Sequence, residues 1–207
     1  MEQLIDKEAL LNLFQDNEEA LTAYHILKET NIPVFITGKA GTGKSTFIKL
    51  ATTISETICQ IIAPTGIAAL NVNGKTIHSV FHLPQRFVLP NDPVLKGIKF
   101  FEDDEFAIIN ADLLVFDEVS MITSATLDCV DVVLKSLCKS DAPFAGKKVL
   151  FVGDPFQLPP IVNKDDQATL KRFYESEYFF HSEAYQEANP LRIEFQKKLS
   201  PKRRSVC

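Results

Sequence analysis

The chain carries no apolar run near the roughly 20 residues that span a bilayer. Its opening, Met1-Glu2-Gln3-Leu4-Ile5-Asp6, has no basic stretch ahead of an apolar one, which argues against a secretory leader. A cytoplasmic protein with no membrane partner is the expectation. Paired cysteine spacing is missing too: Cys59, Cys129, Cys138 and Cys207 form no C-x-x-C, so neither a zinc site nor a disulfide framework is supported. They read as small core or surface residues with reduced thiols. Internal repeats and low-complexity tracts are absent. There is also no surplus of positive charge, with 22 Lys and Arg against 27 Asp and Glu and a net charge of −5. That balance is not the basic footprint of a strongly electrostatic nucleic-acid binder.

What the chain does have is a regular alternation of apolar segments. At 207 residues and 45% apolar content it can bury a core and suits one domain with appendages. A leading helix is expected where Asn17 caps Glu18 and Glu19 and Ala20, Leu21, Tyr24 and Leu27 form one stripe. Strands are expected at 34–37, 58–63, 112–116 and 149–153, with helices at 45–53, 65–71 and 124–137. This order gives an α/β fold whose parallel β-sheet is flanked by helices on both faces. The stretch 83–104, with Pro84, Pro90, Pro93 and an acidic cluster at its end, reads as a long surface excursion.

Between the first strand and its helix stands Gly38-Lys39-Ala40-Gly41-Thr42-Gly43-Lys44-Ser45, which fits G-x-x-x-x-G-K-S. Glycines at both ends let backbone N–H groups turn inward toward a triphosphate, and the helix carrying Thr46 opens directly behind them. Lys44 supplies a cation for the β and γ oxygens, and the Ser45 hydroxyl can ligate Mg²⁺. The strand at 112–116 ends in Asp117-Glu118, acids at the carboxyl edge where ligands of parallel sheets bind. Asp117 is suited to hold Mg²⁺ and Glu118 to polarise an attacking water. An ordinary acidic helix N-terminus is the alternative for that pair.

Two further strings complete the pattern. One is Ala63-Pro64-Thr65-Gly66-Ile67-Ala68-Ala69-Leu70 followed by Gly74-Lys75-Thr76-Ile77-His78-Ser79-Val80-Phe81; the other is Gly153-Asp154-Pro155-Phe156-Gln157-Leu158-Pro159-Pro160. With the phosphate loop and the Asp-Glu pair, their order and spacing resemble the first motor domain of PIF-type (petite integration frequency) DNA helicases, relatives of RecD and Dda in superfamily 1B. The resemblance covers roughly 17–196 and implies a RecA-like P-loop NTPase that uses ATP and Mg²⁺ to move 5′-to-3′ along single-stranded DNA. It implies DNA contacts by Pro64, Thr65, Gly66, Thr76 and His78, and it makes Gln157 the γ-phosphate sensor beside the catalytic Lys44, Asp117 and Glu118. DNA repair, recombination and telomere maintenance are the work it implies. For His78 and His82, four apart, the alternative to a DNA contact is a helix face with no ligand. The acidic balance then implies a weak, salt-sensitive grip on DNA made partly by N–H and hydroxyl groups, with Lys75, Arg86, Lys96 and Lys99 as cations near the track.

The chain departs from the family in two places. The family usually carries a Gln before the first strand to read adenine; here the aligned region reads Asp16-Asn17-Glu18-Glu19-Ala20, with Gln15 only nearby, which puts the preference for ATP in question. After Arg192-Ile193-Glu194-Phe195 the aromatic-Arg-Gln string and the second motor domain do not follow. The expected organisation is a lead-in at 1–16, the motor domain at 17–196 and a basic, disordered tail at 197–207, as a frame change or early stop would leave. Such a chain would be a monomer, weakly active alone, with a second motor domain in trans as a possible partner. A stand-alone P-loop ATPase of another class, or a non-catalytic nucleotide- or DNA-binding fragment, are the other readings.

Overall fold

The computed structural model describes residues 7–54 and 58–199. Helices α1 (Lys7–Leu13) and α2 (Glu18–Glu29) precede β1 (Val34–Gly38), α3 (Lys44–Thr52) and β2 (Ile58–Ala63). Next come α4 (Gly66–Asn71), β3 (Lys75–Thr76), α5 (Ile77–Val80), α6 (Glu102–Ile109) and β4 (Ala111–Phe116). The chain continues through α7 (Ser124–Cys138), β5 (Lys148–Val152), α8 (Lys164–Phe173), α9 (Glu183–Ala188) and β6 (Leu191–Phe195). The strands lie in the order β3-β2-β4-β5-β1-β6, and every neighbouring pair is parallel.

Because strand side chains alternate between faces, each central strand feeds two cores. Val34 and Ile36, Leu113 and Val115, and Leu150 and Val152 point to one face, where they meet α1, α2 and α3 through Phe14, Leu27 and Phe47. Phe35, Leu114, Phe116, Val149 and Phe151 point to the other, where α5, α6, α7 and α9 cover them. Strands buried on both faces read as unbroken apolar runs, which is why β1, β2, β4 and β5 fall within one residue of their expected ends. The Asn17 side chain does cap α2, accepting from the Ala20 N–H at 2.9 Å. Of the expected stripe, Ala20, Tyr24 and Leu27 are buried, joined by Ala23, while Leu21 packs at the margin.

The structure corrects the reading of 83–104 as a surface excursion. Leu83, Val88 and Leu95 are buried in the larger core, and the Cys129 thiol lies 3.7 Å from the Val88 carbonyl. A segment with three core anchors is packed, since burying each such side chain stabilises by about 1.5–3 kcal/mol. The acidic cluster at its end forms the first turn of α6, where carboxylates suit the N-terminal dipole. Helix α1, within the expected lead-in, packs on α3, and the fully buried Phe14 ring stands 5.9 Å from Phe47 and 6.4 Å from Phe195.

Strand β6 is held from the far side of the molecule. The buried Asp128 carboxylate of α7 accepts from the Ser182 hydroxyl and from the N–H groups of Glu183 at 3.1 Å and Ala184 at 2.9 Å. This fixes the start of α9 and, through it, the entry into β6, which pairs with β1 across its whole length. Close pairing there demands Gly38: a Cβ at that position would stand 2.5 Å from the Phe195 carbonyl oxygen.

Candidate nucleotide site and strand track

All six strands point their carboxyl ends at one edge, and the loops leaving that edge carry the candidate residues. Past β1 the phosphate loop turns with φ of +146° at Gly38, +81° at Gly41 and +93° at Gly43. Gly43 is the N-cap of α3 and supplies no side-chain bond, so the first-turn N–H groups stand without a side-chain partner at the cleft, an arrangement suited to an anion. Thr42 is buried and its hydroxyl donates to the Lys39 carbonyl at 2.9 Å; its part is to shape the loop. The Lys44 ammonium folds back on the carbonyls of Gly38 and Lys39. A triphosphate would offer it a stronger, charged acceptor.

Ala40, Gly41, Gly43, Lys44, Ser45, Thr46, Glu118 and Gln157 line one cleft of about 590 Å³, together with Leu13 and Leu199. Glu118 sits at φ 47°, ψ 42°, a left-handed conformation that a non-glycine residue keeps only where its surroundings hold it, and one that recurs at functional sites. The Gln157 amide donates to the Asp154 carboxylate at 3.1 Å, which fixes its orientation at the cleft mouth. Asp117 lies just beneath, 7% exposed, its N–H donating to the Ile62 carbonyl at 2.8 Å. Burial, with the Glu118 charge adding to it, pushes its carboxyl up to about 6, against smaller opposing effects of the Glu118 N–H and the Lys44 charge.

That shift has a sign. In metal-free protein the folded state holds the Asp117 proton more tightly than the unfolded state does, so its contribution to stability is fullest below 3.8 and is lost as pH rises through about 6. Asp117→Asn is therefore expected to raise apo stability at pH 7.5 by roughly 1–3 kcal/mol, given about 1.4 kcal/mol per pKa unit, and to flatten the slope between pH 4 and 6. Thermal denaturation in chelator checks it; an unchanged slope would show that Asp117 stays ionised.

A second hollow, about 230 Å³ and lined by Asn12, Leu13, Asp16, Asn17 and Lys197 to Leu199, shares Leu13 and Leu199 with the cleft. Lys197 donates to the Asp16 carbonyl at 2.7 Å, and the Leu199 N–H donates to the Gly41 carbonyl at 3.0 Å. These residues, assigned from sequence to the tail, thus lie across the phosphate loop, while 200–207, with Arg203, Arg204 and Cys207, are outside the described residues. Sequence reasoning missed Leu13, Lys197 and Leu199 as cleft neighbours, because contact between the two ends of a chain leaves no local pattern.

The candidate strand contacts occupy the other end of the same edge. Ala63 pairs with Thr76, so the loops leaving β2 and β3 lie side by side. Pro64 leads into Thr65, which caps α4 by accepting from the Ala68 N–H at 3.2 Å, and Thr76 caps α5 by accepting from the Ser79 N–H at 3.2 Å. Gly66 is open, with nothing within 4 Å of where a Cβ would stand. His78 is half-buried and burial lowers its pKa. The helix face weighed as the alternative for His78 and His82 does not form: α5 ends at Val80, and His82 turns left-handed at φ 51°. Two of the cations near the track are paired, Lys75 with Asp104 at 3.2 Å and Arg86 with Asp92 at 2.9 Å.

Known proteins share this arrangement. Bacteroides Pif1 in complex with ADP-AlF3 and single-stranded DNA is 35% identical and superposes with a TM-score of 0.84 over 91% of this chain and 43% of its own. Bacteroides Pif1 bound to single-stranded DNA is 37% identical, with a TM-score of 0.82 over 88% and 42%. The ATP-dependent DNA helicase RRM3 of Saccharomyces cerevisiae is 33% identical over 167 residues, which are 77% of this chain and 22% of that protein. The chain thus spans less than half the length of each. The fold they share is RecA-like, and a family model described as PIF1-like helicase matches residues 13–203. With its phosphate loop, acid pair and Gln157 loop set on one sheet edge and that family model matching nearly its whole length, the chain belongs to the PIF1-like helicase family.

Proposed function

We propose that this chain is the ATP-binding motor domain of a DNA helicase, hydrolysing ATP and coupling that step to movement along single-stranded DNA. The observation that carries the reading is the meeting of Lys44, Ser45, Glu118 and Gln157 in one cleft, with Thr65 and Thr76 on neighbouring loops of the same edge. Lys44 and the N–H groups of α3's first turn bind the β- and γ-phosphates, and the base lies toward the hollow between Leu13 and Leu199. The buried Asp117 carboxyl and the Ser45 hydroxyl fit a hard dication, and Mg²⁺ bound there would neutralise phosphate charge. Glu118 takes the proton of the attacking water. Gln157, a neutral amide able to donate and accept at once, senses the γ-phosphate.

On the track, Pro64, Thr65, Gly66, Thr76 and His78 meet the DNA backbone and bases. The hydroxyls of Thr65 and Thr76 already accept a helix N–H, so each is free to donate to a phosphate oxygen. Bacteroides Pif1, solved with nucleotide and single-stranded DNA, supports both ligands for this chain. The partners in this reading are single-stranded DNA and a second motor domain, the chain itself acts as a monomer in the cytoplasm, and its setting is DNA repair, recombination or telomere maintenance. No helix among the described residues is long and apolar enough to cross a membrane. Steady-state ATPase with and without single-stranded DNA tests the proposal: stimulation by DNA is expected, and hydrolysis indifferent to DNA would favour a P-loop ATPase of another class.

A further inference from the structure

One carboxylate holds both ends of the segment that carries Thr76 and His78. Asp104, in the first turn of α6, lies with Oδ1 3.2 Å from the Lys75 ammonium and Oδ2 3.2 Å from His82 Nε2. His82 Nδ1 lies 3.0 Å from the Lys99 carbonyl oxygen. A carbonyl oxygen only accepts, and an ionised carboxylate only accepts. Both ring nitrogens of His82 are thus engaged, one by the loop carbonyl and one by the Asp104 carboxylate. The ring also stacks on Phe100, with centroids 4.6 Å apart and planes 27° from parallel.

The backbone gives the clasp a task. His82 is held at φ 51°, a conformation unfavourable for a non-glycine residue that persists where its surroundings fix it. Ile77, Val80 and Phe81 anchor the inner side of the segment in the core, which leaves its outer side, with Thr76 and His78, to be set by its two ends. The Lys75 leg is exposed and weak on its own, whereas the His82 leg is only 22% exposed. The hydrogen bond from Lys75, with a further one from His82, holds the Asp104 carboxyl below its ordinary range. The charged and titratable groups around His82 are Asp104 of α6 and, through the same carboxylate, Lys75 of β3; His78 titrates within the segment itself.

We infer that Asp104 is a positioning residue for single-strand binding: through Lys75 and the His82 ring it fixes the segment that presents Thr76 and His78. The inference rests on the strand track proposed above. Two variants test it. Asp104→Asn keeps the shape and removes the charge, and His82→Gly keeps the left-handed turn and removes the ring. Fluorescence anisotropy with an oligothymidine should show each variant binding about 3- to 10-fold more weakly, with affinity for Mg²⁺-ATP unchanged. Asp104→Glu, which keeps the charge, should bind closer to wild type than Asp104→Asn does. Hydrogen exchange without DNA should show amide protection lost at 76–82 in Asp104→Asn and kept in the phosphate loop. If wild type binds no oligothymidine, the track itself is wrong. If wild type binds and Asp104→Asn matches it, or Asp104→Glu binds no better than Asp104→Asn, or nucleotide affinity falls in parallel, the positioning role is overturned while the track stands.

Discussion

Glu118→Gln is expected to slow ATP hydrolysis by about 10²–10⁴-fold, the usual worth of a positioned general base, while nucleotide binds within roughly threefold of wild type. The side chain lines the cleft at the carboxyl end of β4, and the amide keeps its size while losing its basicity. The residue also holds a left-handed backbone that Gln can keep at no greater cost than Glu, so a folding defect is not the expected outcome. Lys44→Ala should do the reverse. Losing a charge-assisted contact to phosphate, about 1.5–3 kcal/mol, lowers nucleotide affinity at least 10-fold. The melting temperature should hold, because among the described residues the ammonium bonds just the carbonyls of Gly38 and Lys39. Calorimetric titration with single-turnover hydrolysis separates the two. Equal nucleotide affinity in wild type and Lys44→Ala, or an unchanged rate in Glu118→Gln, would place the site elsewhere.

The parts of this molecule legible in its sequence are those where one local pattern has one structural solution. Strands β1, β2, β4 and β5 are apolar runs because both faces are buried, and the glycines of the phosphate loop stand where left-handed backbone requires them. Strand β6 escaped because it lies at a sheet edge with Leu191, Arg192 and Glu194 exposed. What fixes it is the Asp128 network, reaching 54 residues and more along the chain to Ser182 and its neighbours. The burial of Leu83, Val88 and Leu95 was hidden for a related reason: short apolar pieces broken up by Pro84, Pro90 and Pro93 carry no period, so only the tertiary fold tells an anchored segment from a loose one. His82 misled through spacing. Two histidines four apart suggest a shared helix face, but the helix stops two residues short of the second, and the neighbours that matter, Lys99 and Asp104, lie 17 and 22 residues away.

Taken alone, the 207-residue chain is expected to turn over ATP roughly 10³–10⁵-fold more slowly than it does with a second motor domain, the worth of an arginine finger in phosphoryl transfer. Lys44 is the one cation among the described residues that line the cleft, and no guanidinium stands there to meet charge developing on the far side of the γ-phosphate. The rim points the same way. Phe156, Leu158 and Ile161 in the loop after β5 stand 91%, 68% and 87% exposed beside Gln157, an apolar surface of the kind that marks an interface with a partner domain. Such a domain, seated there, would bring its finger to the cleft, exclude water and supply the other wall of the DNA groove. With one wall only, closure around nucleotide cannot be converted into a step along the strand, so a forked duplex should stay paired although single-stranded DNA and nucleotide still bind. Adding in trans the part of Bacteroides Pif1 that this chain does not cover should raise DNA-stimulated turnover, and Phe156→Ser with Ile161→Ser should block that rise without changing the basal rate. Robust strand separation by the 207-residue chain as a monomer would overturn this account.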